Sequence, residues 1–248
     1  MDDVVLVQAR SRPDLAREVL ALDELWPEFV LHDPAGELYS AHARRWIDWS
    51  FVLIQESDPG TLLGRALTIP FTWHEPLEAL PDRGWDAAIE IALLSDEPNM
   101  ACGVEVTLSE AARGRHLGGR ATELICDIMR ERGLSHFVAP VRPSGKADHP
   151  EMSMDDYLGR RDPDGEVSDP WIRQHLRQGA ELIKVAPLAM TIPGTFDDWQ
   201  RWTSIDFNGV GATVSVEGGL APVMVNHTER TAVYVEPNVW MAYDLQRR

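Results

Sequence analysis

The stretch from Asn99 to Gly133 constrains this chain more than any other. Residues 99–108 have the alternation of a strand, with Glu105 and Thr107 on one face and Val104, Val106 and Leu108 on the other. The strand leads through Ser109-Glu-Ala-Ala-Arg-Gly-Arg-His-Leu-Gly-Gly-Arg120 into a helix. There Leu117, Ala121, Leu124, Ile125, Ile128 and Met129 recur at helical spacing, and Gly133 stands where a left-handed cap would stop it. A strand, a turn rich in Gly and Arg, and a helix N-terminus make an anion site. Glycines let the backbone come close, unpaired N–H groups point outward, and the helix dipole favours negative charge.

The local charge agrees with that reading. Residues 113–146 hold seven basic side chains (Arg113, Arg115, Arg120, Arg130, Arg132, Arg142 and Lys146) and three acidic ones, a net of +4. The whole chain of 248 residues has 23 basic and 40 acidic side chains, a net of −17. The overall field excludes a general binder of DNA or of anionic membranes. It does not exclude one phosphorylated small molecule at the basic patch. The plainer alternative is a solvated basic face.

The rest of the chain reads as mixed α/β. Strands are expected at 4–9, 135–141, 181–192, 221–225 and 231–235, and a hairpin at 51–72 turns on Ser57-Asp-Pro-Gly60. Helices are expected at about 12–25, 36–49, 78–94, 170–178 and 195–203. Residues 142–169 read as loop with one helical turn at 153–158. With no repeat or linker, 1–248 reads as a single enlarged domain, with a core to about 193 and a C-terminal β extension over 194–248. Nine Trp and an apolar content of 44% require a real core. Cys102 and Cys126 are too few for a disulfide framework and read as reduced, buried thiols. The acidic start is unlike a leader, and no apolar window reaches 18 residues, so a cytoplasmic location without a membrane anchor is expected. Asp155-Asp156 and Asp162-x-Asp164 miss the offsets of a calcium loop, and no metal is expected.

The turn Arg113-Gly-Arg-His-Leu-Gly118 resembles the pyrophosphate-binding motif of the GNAT (N-acetyltransferase) superfamily, Arg/Gln-x-x-Gly-x-Gly/Ala. It fits at Arg113 and Gly118 and departs at His116, where the family usually has Gly. Trp26-Pro-Glu-Phe29, Leu80 to Trp85, Ala139 to Pro143, Asp169-Pro-Trp171, Gly194-Thr195 with Trp199 and Trp202, and Tyr234 to Trp240 are similar to a branch of large bacterial GNAT-like proteins. The resemblance implies a mixed central sheet, split in a V between two parallel strands (100–108 and 135–141) and flanked by helices. It implies coenzyme A binding by the backbone of Val106, Thr107 and Leu108 and by the turn Arg113, Gly114, Arg115, His116, Leu117, Gly118 and Gly119.

The implied reaction is N-acylation: an acyl group moves from acetyl-CoA or another acyl-CoA to the amine of a small molecule, with a natural-product type of biosynthesis as the setting. Glu105 is the candidate base, with a solvent-facing or arginine-paired carboxylate as the alternative. His175, four residues before Gly179, is the candidate acid, and Tyr157 is its rival. Arg142, Trp73 and Trp85 are candidate acceptor contacts, and Lys146 a further cation near them. Two other readings remain at this point: the same fold taking its acyl group from an aminoacyl-tRNA, and a non-catalytic acyl-CoA-binding protein.

Overall fold

A computed structural model describes residues 3–115 and 117–247, so His116 lies outside the described residues. The described residues form a nine-stranded sheet flanked on both faces by helices. The chain begins with β1 (Val4–Gln8), α1 (Ala16–Ala21) and α2 (Pro34–His42), then the hairpin β2 (Ser50–Gln55) and β3 (Leu62–Phe71). α3 (Gly84–Leu93), β4 (Met100–Leu108), α4 (Leu117–Glu131) and β5 (His136–Val141) form the centre. α5 (Met154–Gly159), α6 (Pro170–Arg177), β6 (Glu181–Thr195), α7 (Phe196–Thr203), β7 (Thr213–Val214), β8 (Val223–Asn226) and β9 (Thr231–Asp244) complete it.

Strands β1 to β4 pair antiparallel in sequence order, and β4 and β5 are parallel. β9 is then inserted beside β5, with His136–Val141 paired to Asp244–Val239, and β6 covers its other edge. The stretch read as a C-terminal extension therefore supplies an interior strand. The strand expected at 231–235 runs on to Asp244. Pro237 sits where the β6–β9 register is interrupted, between Asn238 and Glu236, so it removes no ladder bond.

One face of the sheet carries α4, α5 and α6. Ile125, Met129, Phe137, Tyr157, Ile172, Met241 and Tyr243 pack there. The other face carries α1, α2 and α3. Val52, Ile54, Leu15 and Leu22 pack under α1, and Trp46, Ile69, Phe71, Ile89 and Trp240 pack under α2 and α3. The helix stops behave as read: Gly133 and Gly179 have φ of 76° and 86°. Cys102 and Cys126 are free and buried, and burial pushes the Cys126 thiol up to about 12. Among the described residues, no helix is long and apolar enough to cross a membrane.

α3 is seated on β6 by a glycine. Gly84 has φ of 33°, and a Cβ there would lie 2.6 Å from the Ala189 Cβ. Gly84→Ala is expected to destabilise the fold by about 1–3 kcal/mol through overpacking, measured by urea denaturation.

Candidate functional site

β4 and β5 pair over only three residues: Met100 with His136, Ala101 with Phe137 and Cys102 with Val138. Beyond Cys102 the strands part. Gly103 sits at the fork because a Cβ there would be 2.8 Å from the Phe137 ring. The next residue bulges. Leu67 of β3 faces Glu105 and Thr68 faces Gly103, so Val104 is the extra residue. Its carbonyl accepts the Trp85 indole N–H at 3.3 Å. The bulge shifts the alternation by one. Val104 packs with the α2/α3 cluster, whereas Val106 packs toward α4. The expected grouping of Val104 with Val106 and Leu108 is thus corrected: the extra residue carries Val104 to the same side as Glu105 and Thr107.

On the α4 side, the turn after β4 is anchored by Ser109, whose amide donates to the Leu63 carbonyl at 2.9 Å, and by fully buried Ala112. Arg113, Gly114 and Arg115 are exposed. Gly114 has φ of 73° and open space around it. Leu117 is buried at the start of α4. The first turn of α4 contains no acidic residue. The other α-helices among the described residues each carry an acid at the cap or in the first turn: Glu18, Asp33, Asp86, Asp155, Asp169 and Asp197. No acidic side chain in its first turn competes for the positive pole of α4, which suits an outside anion. Gly118 and Gly119 also serve the packing of two helices. Added Cβ atoms would meet the Trp171 ring at 3.1 Å and Gln174 Nε2 at 2.6 Å, so these glycines let α6 approach α4.

On the opposite side, Glu105 is gripped by a fork. Arg65 Nε donates to its Oε1 at 2.8 Å and Nη2 to its Oε2 at 2.9 Å. Thr107 also donates to Oε1, and the Trp26 indole N–H reaches the Thr107 hydroxyl at 3.3 Å. Arg65 further donates to Asp23 and to the Val19 carbonyl, which ties β3 to α1. Burial alone would weaken the charge on Arg65, but Glu105 and Asp23 outweigh it and raise its pKa. The arginine-paired alternative for Glu105 is the one observed.

His175 and Tyr157 lie on the other face of the sheet from Glu105, in the cluster under α4 and α6. The His175 Nδ1 is 2.7 Å from the Tyr243 hydroxyl, and its ring meets the edge of Trp171. Burial pushes the imidazole down to about 4, and the ring stands against Trp171 and Tyr243, across the sheet from Glu105. The Tyr157 hydroxyl donates to Asp169 Oδ2 at 2.8 Å; burial and this bond raise its pKa. Asp169 also caps α6 and accepts the Gly145 N–H, so Tyr157 pins the 142–169 loop instead of serving as an acid.

Arg142 is not free for an acceptor either. It pairs with Glu236, which is fully buried, and donates to the Gly218 carbonyl. Lys146 is fully buried and donates to the carbonyls of His149 and Leu220. Trp73 follows Phe71, which pairs with Met100 at the closed end of the fork, well away from Glu105. Of the proposed catalytic and acceptor residues, only Glu105 and Trp85 meet at the fork.

The sequence reading passed over Arg65, Asp33 and Asp86. A lone charge within the apolar run Leu62 to Phe71 was the available signal for Arg65. Asp33 and Asp86 are 1% and 5% exposed, and their position was hidden because each opens a different helix.

No protein-family model matches the chain. It is 26% identical, over 273 aligned positions covering 97% of this chain and 93% of the other, to a protein named arginine N-acetyltransferase avaD from Aspergillus versicolor. Among solved structures, the loading GNATL domain of CurA from Lyngbya majuscula superposes with a TM-score of 0.64 at 17% identity, covering 99% of both chains. The GphF GNAT-like decarboxylase, solved with isobutyryl-CoA, superposes with a TM-score of 0.55 at 16% identity, covering 98% of both. These likenesses show the fold.

The position of His175 generates a kinetic expectation. His175→Asn, which keeps a polar partner for Tyr243, should leave steady-state turnover within about threefold of wild type, where loss of a true general acid costs roughly 10²–10⁴-fold.

Proposed function

We propose that the chain is a GNAT-type acyltransferase that moves an acyl group from a coenzyme A thioester to the amine of a small molecule. The observation that carries this reading is the parting of β4 from β5 beyond Cys102 and Val138, next to a helix N-terminus without acidic residues. Beyond the fork, the β4 edge is free of β5 and suits an extended ligand that carries amide groups. The amides of Gly114 and the first turn of α4 suit its pyrophosphate, with Arg113 and Arg115 adding positive charge.

The coenzyme would supply an activated thioester; the chain supplies position and polarity. Successive residues of a strand turn their N–H groups to opposite edges, so one of Val106 and Thr107 offers a donor to the carbonyl oxygen of the thioester. The acceptor approaches on the α1/α2/α3 side, between Trp85 and the Glu105–Thr107 pair. Glu105, oriented by Arg65, then lies on the path by which the amine loses its proton. The name of the fungal relative supports a small amine such as arginine as the acceptor class.

The test is titration of coenzyme A into wild type and Gly114→Asp, alongside acceptor-dependent thiol release from acetyl-CoA. Residue 114 is exposed with open space around it, but its φ of 73° strains any side chain, so the uncharged Gly114→Asn, strained alike, is the control that isolates the added charge. The expected loss of affinity is about ten- to a hundredfold. Unchanged affinity would remove the phosphate role of this turn.

A further inference from the structure

Two carboxylates near the fork lack the partners that buried charges need. Asp33 caps α2, where its Oδ1 accepts the Ala35 N–H at 2.7 Å. Asp86 lies in the first turn of α3. Asp33 Oδ2 and Asp86 Oδ1 are buried and have no hydrogen-bond partner among the described residues. Elsewhere the buried acids are fully engaged: Glu105 by Arg65 and Thr107, and Glu236 by Arg142, Tyr234 and Asn238. Leaving one buried polar atom unpaired is costly, and a second carboxylate close enough to feel its charge adds to that cost.

Trp85 fixes where the pair lies. It precedes Asp86 in sequence, its indole N–H reaches the Val104 carbonyl at the bulge, and its ring lies beside Gly36 in the turn opened by Asp33. The pair therefore stands about one indole's length from the fork, on the acceptor side. Trp85 is half-buried and forms the wall between them.

We propose that Asp33 and Asp86 together receive the guanidinium of a cationic acceptor, with Trp85 supplying an aromatic face to that cation. This inference rests on the acyltransferase reading of the same fork. A guanidinium is planar, presents N–H donors along more than one edge, and stacks on an indole, so one such group satisfies both orphan oxygens. An ammonium is a compact point charge that does not match two carboxylates brought from two helices as well. The acidic chain adds a long-range attraction for such a cation.

Protons are the competing ligand. Burial raises Asp33 to about 6, against the Ala35 and Gly36 amides, with the Glu236 charge raising it further and Arg83 lowering it. Burial and then the Asp33 charge raise Asp86 to about 8, with Glu90 adding to this and Arg83 and the Thr191 amide opposing it. Both groups hold protons in the folded chain that the unfolded chain has lost. The pair's contribution to stability therefore declines as pH rises from about 4 to about 8. The cation must displace those protons, so its affinity rises with pH over the same upper range and its binding releases protons.

The experiment is calorimetric titration of arginine and its neutral ureido isostere, citrulline, into the full chain, repeated with Asp33→Asn and Asp86→Asn. Asn preserves the cap at residue 33, and thermal melts check the folding of both variants. Arginine is expected to bind about a hundredfold more tightly than citrulline at pH 8, to release protons on binding, and to lose that preference in either variant. The variants are also expected to lose part of the fall in melting temperature between pH 5 and pH 8. Equal binding of arginine and citrulline to wild type, or an unchanged preference in both variants, overturns the assignment. Coenzyme A titration in parallel reports on the acyltransferase reading separately, since arginine selectivity is read without turnover.

Discussion

One extra residue in β4 organises the site. Were β4 to run on regularly, with Val104 taking a place in the ladder, Glu105 and Thr107 would fall on the α4 side and Val106 on the other. The bulge instead turns Glu105 and Thr107 toward Arg65 and Trp26, and Val106 and Leu108 toward the α4 core. It also bends β4 away from β5 just past Gly103, where the Phe137 ring leaves no room for a side chain. A bulge leaves backbone groups without a partner strand. The Trp85 indole meets the freed Val104 carbonyl, and this bond ties α3, and hence Asp86, to the mouth of the fork. Side-chain facing, strand separation and helix placement thus share one local cause.

The electrostatics follow a similar economy. A chain with 40 acidic side chains that buries several must pair them. Arg65 stands between Glu105 and Asp23, and Arg142 holds Glu236 against Tyr234 and Gly218. These arginines look available in the sequence, and Arg142 counted toward the basic patch, but burial commits them to structure. What remains free of the patch is its exposed part, Arg113 and Arg115 around Gly114. The sign contrast noted in the sequence survives in this smaller form.

The fold was legible where periodicity and punctuation agreed. The helix from Leu117 and its stop at Gly133 followed from spacing and from one positive φ, and the hairpin from Ser57-Asp-Pro-Gly60. β9 runs on from the expected 231–235 to Asp244, and only the register against β6 shows that Pro237 within it costs no bond. His175 was chosen by counting back from Gly179 on the correct helix. Helical spacing gives a face, but it does not tell that Tyr243 and Trp171 cover that face. Asp33 and Asp86 were illegible because no spacing links them; α2 and α3 bring them together only once both pack on the sheet.

Helix N-termini account for how this molecule can hold opposite charges on the two sides of one fork. Each N-terminus is a positive pole that favours negative charge nearby. At α2 and α3 the chain supplies that charge itself, as Asp33 and Asp86, and the two poles offset part of the cost of burying carboxylates that nothing else satisfies. The result is an acidic wall on the acceptor side. At α4 the chain places no acid in the first turn, so the pole is left to an external anion. The same backbone feature, filled in two helices and without an acid in a third, suits a cation on one side of the split and a phosphate on the other. Under the proposed acyl transfer, that contrast draws the coenzyme and a cationic amine to opposite sides, so that they meet beside Glu105 and Val106.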